Sequence, residues 1–237
     1  MIKKVFIFIS LLSSLITGAQ ITSAKITYER KTNLYKKFKG DWAREWIKEG
    51  EKVKLDYFEL NFNDTCSAFV PQESELKEDF GWATGKNKVY QNFNTSTRYT
   101  IKDMWGEEVH LTDSLFKRKW QITESTRKIA GYQCRKAVWK ANDSTKIYAW
   151  FSYDISPSTG PESFNGLPGT ILGLATEDGG VVYFAKKVEI IKPEPSKLFP
   201  EKKKKVRNVA DLKKEMEKEY GKEKWFKSEW NEQFGIW

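Results

Sequence analysis

Short runs of strand-forming residues, cut at close intervals by turn-forming clusters, constrain this chain more than any other feature. Lys52–Phe62 reads Lys-Val-Lys-Leu-Asp-Tyr-Phe-Glu-Leu-Asn-Phe, partly alternating and rich in strand formers. Lys88–Phe93, Arg98–Met104, Glu107–Leu111 and Phe116–Thr123 are similar, and Tyr132–Lys140, Lys146–Tyr153 and Val181–Ile191 follow. Asn, Ser, Thr, Gly and Asp clusters separate them, and Gly106 and Asp178-Gly179-Gly180 suit tight reversals. One strong helical pattern exists, near the C-terminus. The predicted class is mainly β: an antiparallel curved sheet, either a half-open barrel or a sandwich, with a C-terminal helical tail.

Some of these strands are apolar on both faces. In Lys146–Tyr153 one face holds Ile147, Ala149, Phe151 and Tyr153, and the other holds Tyr148 and Trp150. A sheet with one wet face alternates more cleanly. The second face is therefore expected to be covered by another sheet, by the tail, or by a ligand in a half-barrel.

The N-terminus sets the expected compartment. Lys3 and Lys4 precede an uncharged run, Val5–Ile16, and Thr17-Gly18-Ala19 offers small residues for cleavage. The run is short of the roughly twenty apolar residues that span a bilayer. Residues 1–19 are thus read as a signal peptide cleaved near Ala19, with Thr22-Ser23-Ala24 as a second site, and the protein as periplasmic or secreted. No cysteine directly follows the cleavage site, which argues against a lipid anchor, and no later segment suits a membrane span. Residues 20–191 form the β-rich domain and residues 192–237 the tail. The formal charge of +9 falls to +7 without Lys3 and Lys4, and the tail carries more than half of the remainder. Export and this placement exclude nucleic acid as a partner.

In an oxidising compartment, Cys66 and Cys134 are expected to form a disulfide, stabilising by about 4 kcal/mol in the chain-entropy model. His110 is the single histidine, and no Cys-x-x-Cys occurs, so no metal site is expected. There is no nucleophile elbow, phosphate loop or dinucleotide fingerprint, so neither a cofactor nor a catalytic residue is predicted. Ser125-Thr126-Arg127-Lys128 lacks companion motifs. Glu107-Glu108 and Glu177-Asp178 would point to opposite faces of a strand. The chain is read as a non-enzyme.

The segment Ile155–Leu174 is the most distinctive. Pro157, Pro161 and Pro168 stiffen a long loop, and Leu167-Pro168-Gly169-Thr170 suits a type II turn. Such a loop either has a function or is a rigid crossover. Gly166-Leu167-Pro168-Gly169-Thr170-Ile171, with Gly160, Pro161 and Phe164 upstream, resembles the name-giving motif of the GLPGLI family of exported Bacteroidota proteins. Ile129-Ala130-Gly131-Tyr132-Gln133-Cys134-Arg135-Lys136-Ala137 is similar to a second family block. The likeness covers roughly residues 26–191, and Thr170 and Gly173 depart from the pattern. It implies an exported protein without an assigned activity, often found beside TonB-dependent outer-membrane receptors. The strand order is also loosely similar to LolA-like carriers.

In the tail, Asn208 can cap a helix bearing Val209, Leu212, Met216 and Tyr220 in one stripe, ended by Gly221. Trp225, Phe226, Trp230, Phe234 and Trp237 follow; they either pack on the domain or dock on a partner. The sequence thus predicts a non-catalytic binding or accessory protein partnered with an outer-membrane receptor or another envelope protein. The alternative is a carrier holding an apolar ligand against residues such as Trp139, Trp150 and Phe151. A hydrolase of glycans or peptides comes third, and a deep cleft with converging carboxylates would favour it.

Overall fold

The computed structural model describes residues 20–38, 40–72, 80–104, 106–200 and 205–234. Expectations resting on residues 1–19, on Lys202–Lys204 and on Trp237 lie outside them. The described residues form one sheet in the order β12-β6-β5-β4-β3-β2-β1-β11-β10-β9-β8-β7. In chain order the strands are β1 (Ala24–Asn33), β2 (Val53–Phe62), β3 (Cys66–Pro71), β4 (Lys88–Asn92), β5 (Thr97–Met104) and β6 (Glu107–Ser114). There follow β7 (Gln121–Ile129), β8 (Tyr132–Lys140), β9 (Lys146–Ser152), β10 (Thr170–Thr176), β11 (Val181–Glu189) and β12 (Val206–Asn208). Strands β2 to β6 form one meander and β7 to β11 another. Strand β1 joins them by pairing antiparallel with both β2 and β11. The expected mainly β, antiparallel class is what is found, as an open sheet with helices at the end of the chain.

Alternation places the core. Ala24, Ile26 and Tyr28 of β1 and Phe58, Leu60 and Phe62 of β2 share the inner face and are fully buried. They join Phe69, Ile147, Phe151, Ile171 and Leu174 in one cluster drawn from both meanders, so the sheet curls over itself. Aromatic stacking tightens the centre, with Phe58 and Phe69 at 4.8 Å. The outer face of β9 is covered by basic side chains of the same sheet. Arg127 lies 5.3 Å from the Trp150 ring and 4.8 Å from Phe184, and Lys136 lies 3.8 Å from Tyr148.

The strand expected at Phe116–Thr123 starts only at Gln121. Upstream, Arg118 and Trp120 turn onto Phe164 instead of pairing. Strand β7 itself is a polar edge strand, which resists further pairing. Strands β1 and β3 and the short helices α1 (Leu34–Lys37) and α2 (Asp41–Trp46) were not foreseen.

The expected disulfide is absent, and both cysteines are free and buried. Cys66 opens β3 and Cys134 lies in β8, with five strands between them in the sheet, and they are never register partners. A bridge needs Cα atoms within about 7 Å. The Cys66 thiol instead approaches Asn63 Oδ1 at 3.4 Å, and that of Cys134 approaches the Tyr132 carbonyl at 3.6 Å.

The tail returns to the domain. Strand β12 pairs in parallel with β6, setting Val206 beside His110. Helix α3 (Val209–Tyr220) starts at Asn208, whose side chain accepts from the Ala210 amide, and ends at Gly221. Leu212 is buried with Met104 and Leu111, and Trp230 and Phe234 of α4 (Lys224–Phe234) pack against this cluster. Phe226 is buried and Trp225 is exposed. The candidate partner surface therefore divides: Trp230 and Phe234 face the domain, and Trp225 faces water. Among the described residues no helix is long and apolar enough to cross a membrane.

Candidate functional site

The inner face of the sheet changes character along β1 and β2. Beyond Tyr28 and Phe58, the next inward positions are Arg30 and Asp56, directly opposite in register, and then Thr32 and Lys54. On the other side of β1, Arg30 faces Tyr183 of β11. One rung thus carries Asp56, Arg30 and Tyr183, all at most 6 % exposed. The Arg30 guanidinium donates to Asp56 Oδ2 through Nε at 3.1 Å and Nη2 at 2.7 Å, and lies 4.8 Å from the Phe58 ring. Thr84 donates to the same oxygen at 3.0 Å, while Lys54 bonds Oδ1. Burial alone would raise the Asp56 pKa, but Arg30 and Lys54 outweigh it and hold the carboxyl below its ordinary 3.8. Burial would lower that of Arg30, but Tyr183, Asp56 and Glu162 together raise it.

The proline-rich loop supplies the fourth member. From Ile155 to Gly169 it lies on the inner face, with Phe164 and Leu167 in the core. Glu162, in left-handed backbone at φ 56°, is 2 % exposed. It accepts from the Tyr183 hydroxyl at 2.8 Å and from Asn87 Nδ2 at 3.5 Å, and stands 3.8 Å from Arg30 Nη1. Further bonds anchor the loop: Thr159 to Ser67 at 2.9 Å, Arg98 to Ser163 at 2.8 Å, and Trp120 to the Asn165 carbonyl at 2.9 Å. Arg118 donates to the Ser163 carbonyl, with Phe164 4.0 Å and Trp139 5.2 Å from its guanidinium. Burial, with Arg98 adding, pushes its pKa down to about 9, so it remains a cation at neutral pH.

The motif residues hold this loop rather than presenting themselves. A Cβ at Gly160 would meet Ile171 at 2.7 Å, and one at Gly169 would sit 2.0 Å from the Ser152 carbonyl oxygen. Gly166 and Gly169 both have positive φ. The expected type II turn is replaced by a tighter one, in which the Gly169 amide donates to the Leu167 carbonyl across Pro168. The Thr170 amide goes to Ile155 instead, and its hydroxyl donates to the Pro157 carbonyl at 2.7 Å. That buried bond is what the departure at Thr170 provides.

Arg30, Glu162 and Tyr183 line a cavity of about 710 Å³, with Lys86, Phe38 and Trp82 at other parts of its wall. Asp56, its oxygens occupied by Arg30, Thr84 and Lys54, is suited to orienting Arg30 and not to attack. Glu162 accepts from two neutral donors, Tyr183 and Asn87, stands beside Arg30, and lines the cavity. No cluster of three or more His, Cys, Asp or Glu side chains capable of holding a metal occurs among the described residues. A second cavity of about 420 Å³, by Phe93, Leu115 and Pro157, has one acid, Asp64, and no converging pair. Trp139, Trp150 and Phe151 line neither; Phe151 is in the core, and Trp139 packs against Phe116, Trp120 and Phe164. His110 is buried between Tyr99 and Glu108, at 2.6 and 3.1 Å.

Asp56 and Arg30 were overlooked in the sequence, although charges at Lys54 and Asp56 in register with Phe58, Leu60 and Phe62 were a signal. Glu162 lay inside the singled-out loop and was passed over beside its glycines and prolines.

Comparison with known proteins bears on this site. A family model described as "N-glycanase peptide, N-terminal domain" matches residues 62–213. Two solved structures of PNGF-II, in space groups C2 and P21, superpose with TM-scores of 0.57 and 0.55 at 21 % and 20 % identity. They cover 81 % and 83 % of this chain and 32 % and 33 % of their own, so the chain spans about a third of their length. At that identity the likeness is one of fold. No curated protein matches the chain. The expectation of a non-enzyme is corrected by the family match, which relates this chain to the N-terminal domain of an N-glycanase. The absence of short catalytic motifs does not exclude an enzyme, because residues brought together only by folding leave no such motif. The match names a different family from GLPGLI and does not bear on that resemblance.

Proposed function

The chain belongs to the family of N-glycanase N-terminal domains, and from that premise we propose that it is a glycosidase-related protein that takes the glycan of a glycopeptide into the cavity over Arg30. The carrying observation is the meeting of two buried carboxylates, Asp56 and Glu162, at one guanidinium. In this reading Glu162 is the acid–base group at the sugar–peptide linkage. Tyr183 and Asn87 fix its carboxyl, and Asp56 keeps Arg30 oriented towards it. The low Asp56 pKa keeps that residue ionised and paired with Arg30.

Export through residues 1–19, GLPGLI kinship and association with an outer-membrane transport system belong to the same proposal, and fractionation of envelope extracts tests them. The deciding experiment is glycan release from a denatured N-glycoprotein by the purified chain, followed as a mass loss. Release by the native sequence, abolished in Glu162→Gln with an unchanged unfolding midpoint, supports the reading. Absence of both release and glycopeptide binding overturns it, and binding without release overturns its hydrolytic part.

A further inference from the structure

At the same cavity an aromatic cluster reaches into water. Trp82 is 69 % exposed and Trp42 48 %. Phe38, which follows α1, ties the two together, with ring centroids 5.5 Å from Trp42 and 5.4 Å from Trp82. Phe38 and Trp82 both line the cavity. A contiguous aromatic shelf in solvent marks a binding surface more often than a packing accident.

Two local features maintain the shelf at a cost. Phe80, just before the short 3-10 turn Gly81–Ala83 that presents Trp82, has left-handed backbone at φ 56°, which a non-glycine residue adopts only under constraint. A Cβ at Gly40 would lie 2.4 Å from the Trp42 indole, so a side chain is given up there to let the ring lie against the backbone. Charge is the second property of this mouth. Arg30, Lys37, Lys86 and Lys102 line the cavity against Asp103 and Glu162, a lining with a net positive charge in which Lys86 also stands 3.8 Å from Asp56.

We propose that this mouth is a subsite for an anionic sugar, one whose ring carries a carboxylate or sulfate group, stacked on Trp82 and Phe38 with its charge towards Lys37 and Lys86. The C–H face of a pyranose meets the negative face of an aromatic ring, and the lysines supply the charge complement. The proposal rests on the glycan reading above and narrows its substrate to acidic glycans.

The test titrates the whole chain with matched oligosaccharides, neutral, carboxylated and sulfated, by tryptophan fluorescence or calorimetry. Anionic ligands are expected to bind about tenfold more tightly at low salt, with the preference shrinking as ionic strength rises. Lys37→Gln with Lys86→Gln should narrow the anionic-to-neutral ratio at least about threefold, and Trp82→Ala should weaken all glycans about tenfold. Trp82 is exposed, so an unchanged unfolding midpoint is expected to accompany that loss. Preference for only one of the two anionic classes identifies which anion the subsite takes and supports the proposal. Equal binding of neutral and anionic glycans, or a preference indifferent to the lysine variants, overturns it. If release still depends on Glu162 in that case, the glycan reading stands without this subsite; if no glycan binds, both fall.

Discussion

The hydroxyl of Tyr183 donates to Oε1 of Glu162 at 2.8 Å, and so fastens the proline-rich loop to the centre of the sheet. Both side chains are buried, and the same hydroxyl accepts from Arg30 Nη1 at 3.3 Å. Removing the hydroxyl leaves a buried carboxylate short of its principal donor. Tyr183→Phe should therefore cost about 1–3 kcal/mol in a urea titration. A loss below about 0.5 kcal/mol would mean that the loop is held without this bond.

Asp56 gives stability a defined dependence on pH. Its carboxyl is held below 3.8 in the folded protein, mainly because Arg30 and Lys54 overcome the effect of burial. A depressed carboxyl pKa contributes stability that is complete above the unfolded value, near 4, and is lost as pH falls through the folded value. The melting temperature should thus include a decline below about pH 4 that Asp56→Asn abolishes. The same variant should lose about 3–5 kcal/mol at neutral pH, because Arg30 is left buried beside a neutral group. An acid limb of identical slope in both proteins would refute the assignment.

Gly169 and Gly179 separate two reasons for glycine. Both have positive φ, at 150° and 69°, but only Gly169 is pressed against other backbone, the Ser152 carbonyl. Gly179→Ala should cost about 1 kcal/mol from conformation alone. Gly169→Ala should cost at least about 2 kcal/mol, since the loop or β9 must move. Equal unfolding midpoints would show that the close approach is easily relaxed.

The cysteines should titrate as two thiols when the protein is unfolded without reductant. In the native state both are buried, and burial pushes the Cys134 thiol up to about 11, so its alkylation at pH 8 should be slow. Recovery of fewer than two thiols from freshly purified protein would restore a bridge.

Most of the sheet was legible in the chain because strand formers and turn residues act locally. β2, β4, β5, β8, β9 and β11 appear within a residue or two of the segments read from composition and alternation, and Asn208 and Gly221 bound α3 as their capping chemistry requires. β1 was missed because its inner face ends in Arg30 and Thr32, which look like solvent positions until Asp56 and Tyr183 are beside them. The disulfide was misjudged for a related reason: two cysteines and a compartment describe chemistry, whereas pairing depends on distance between strands. Residue order by itself determined the β class, the helical tail and a rigid loop held by Gly160, Gly166 and Gly169. Only the tertiary structure decided that this loop lies on the inner face and brings Glu162 to Arg30, because that meeting joins residues 132 positions apart and no local pattern encodes which rung of a curled sheet a loop will cover.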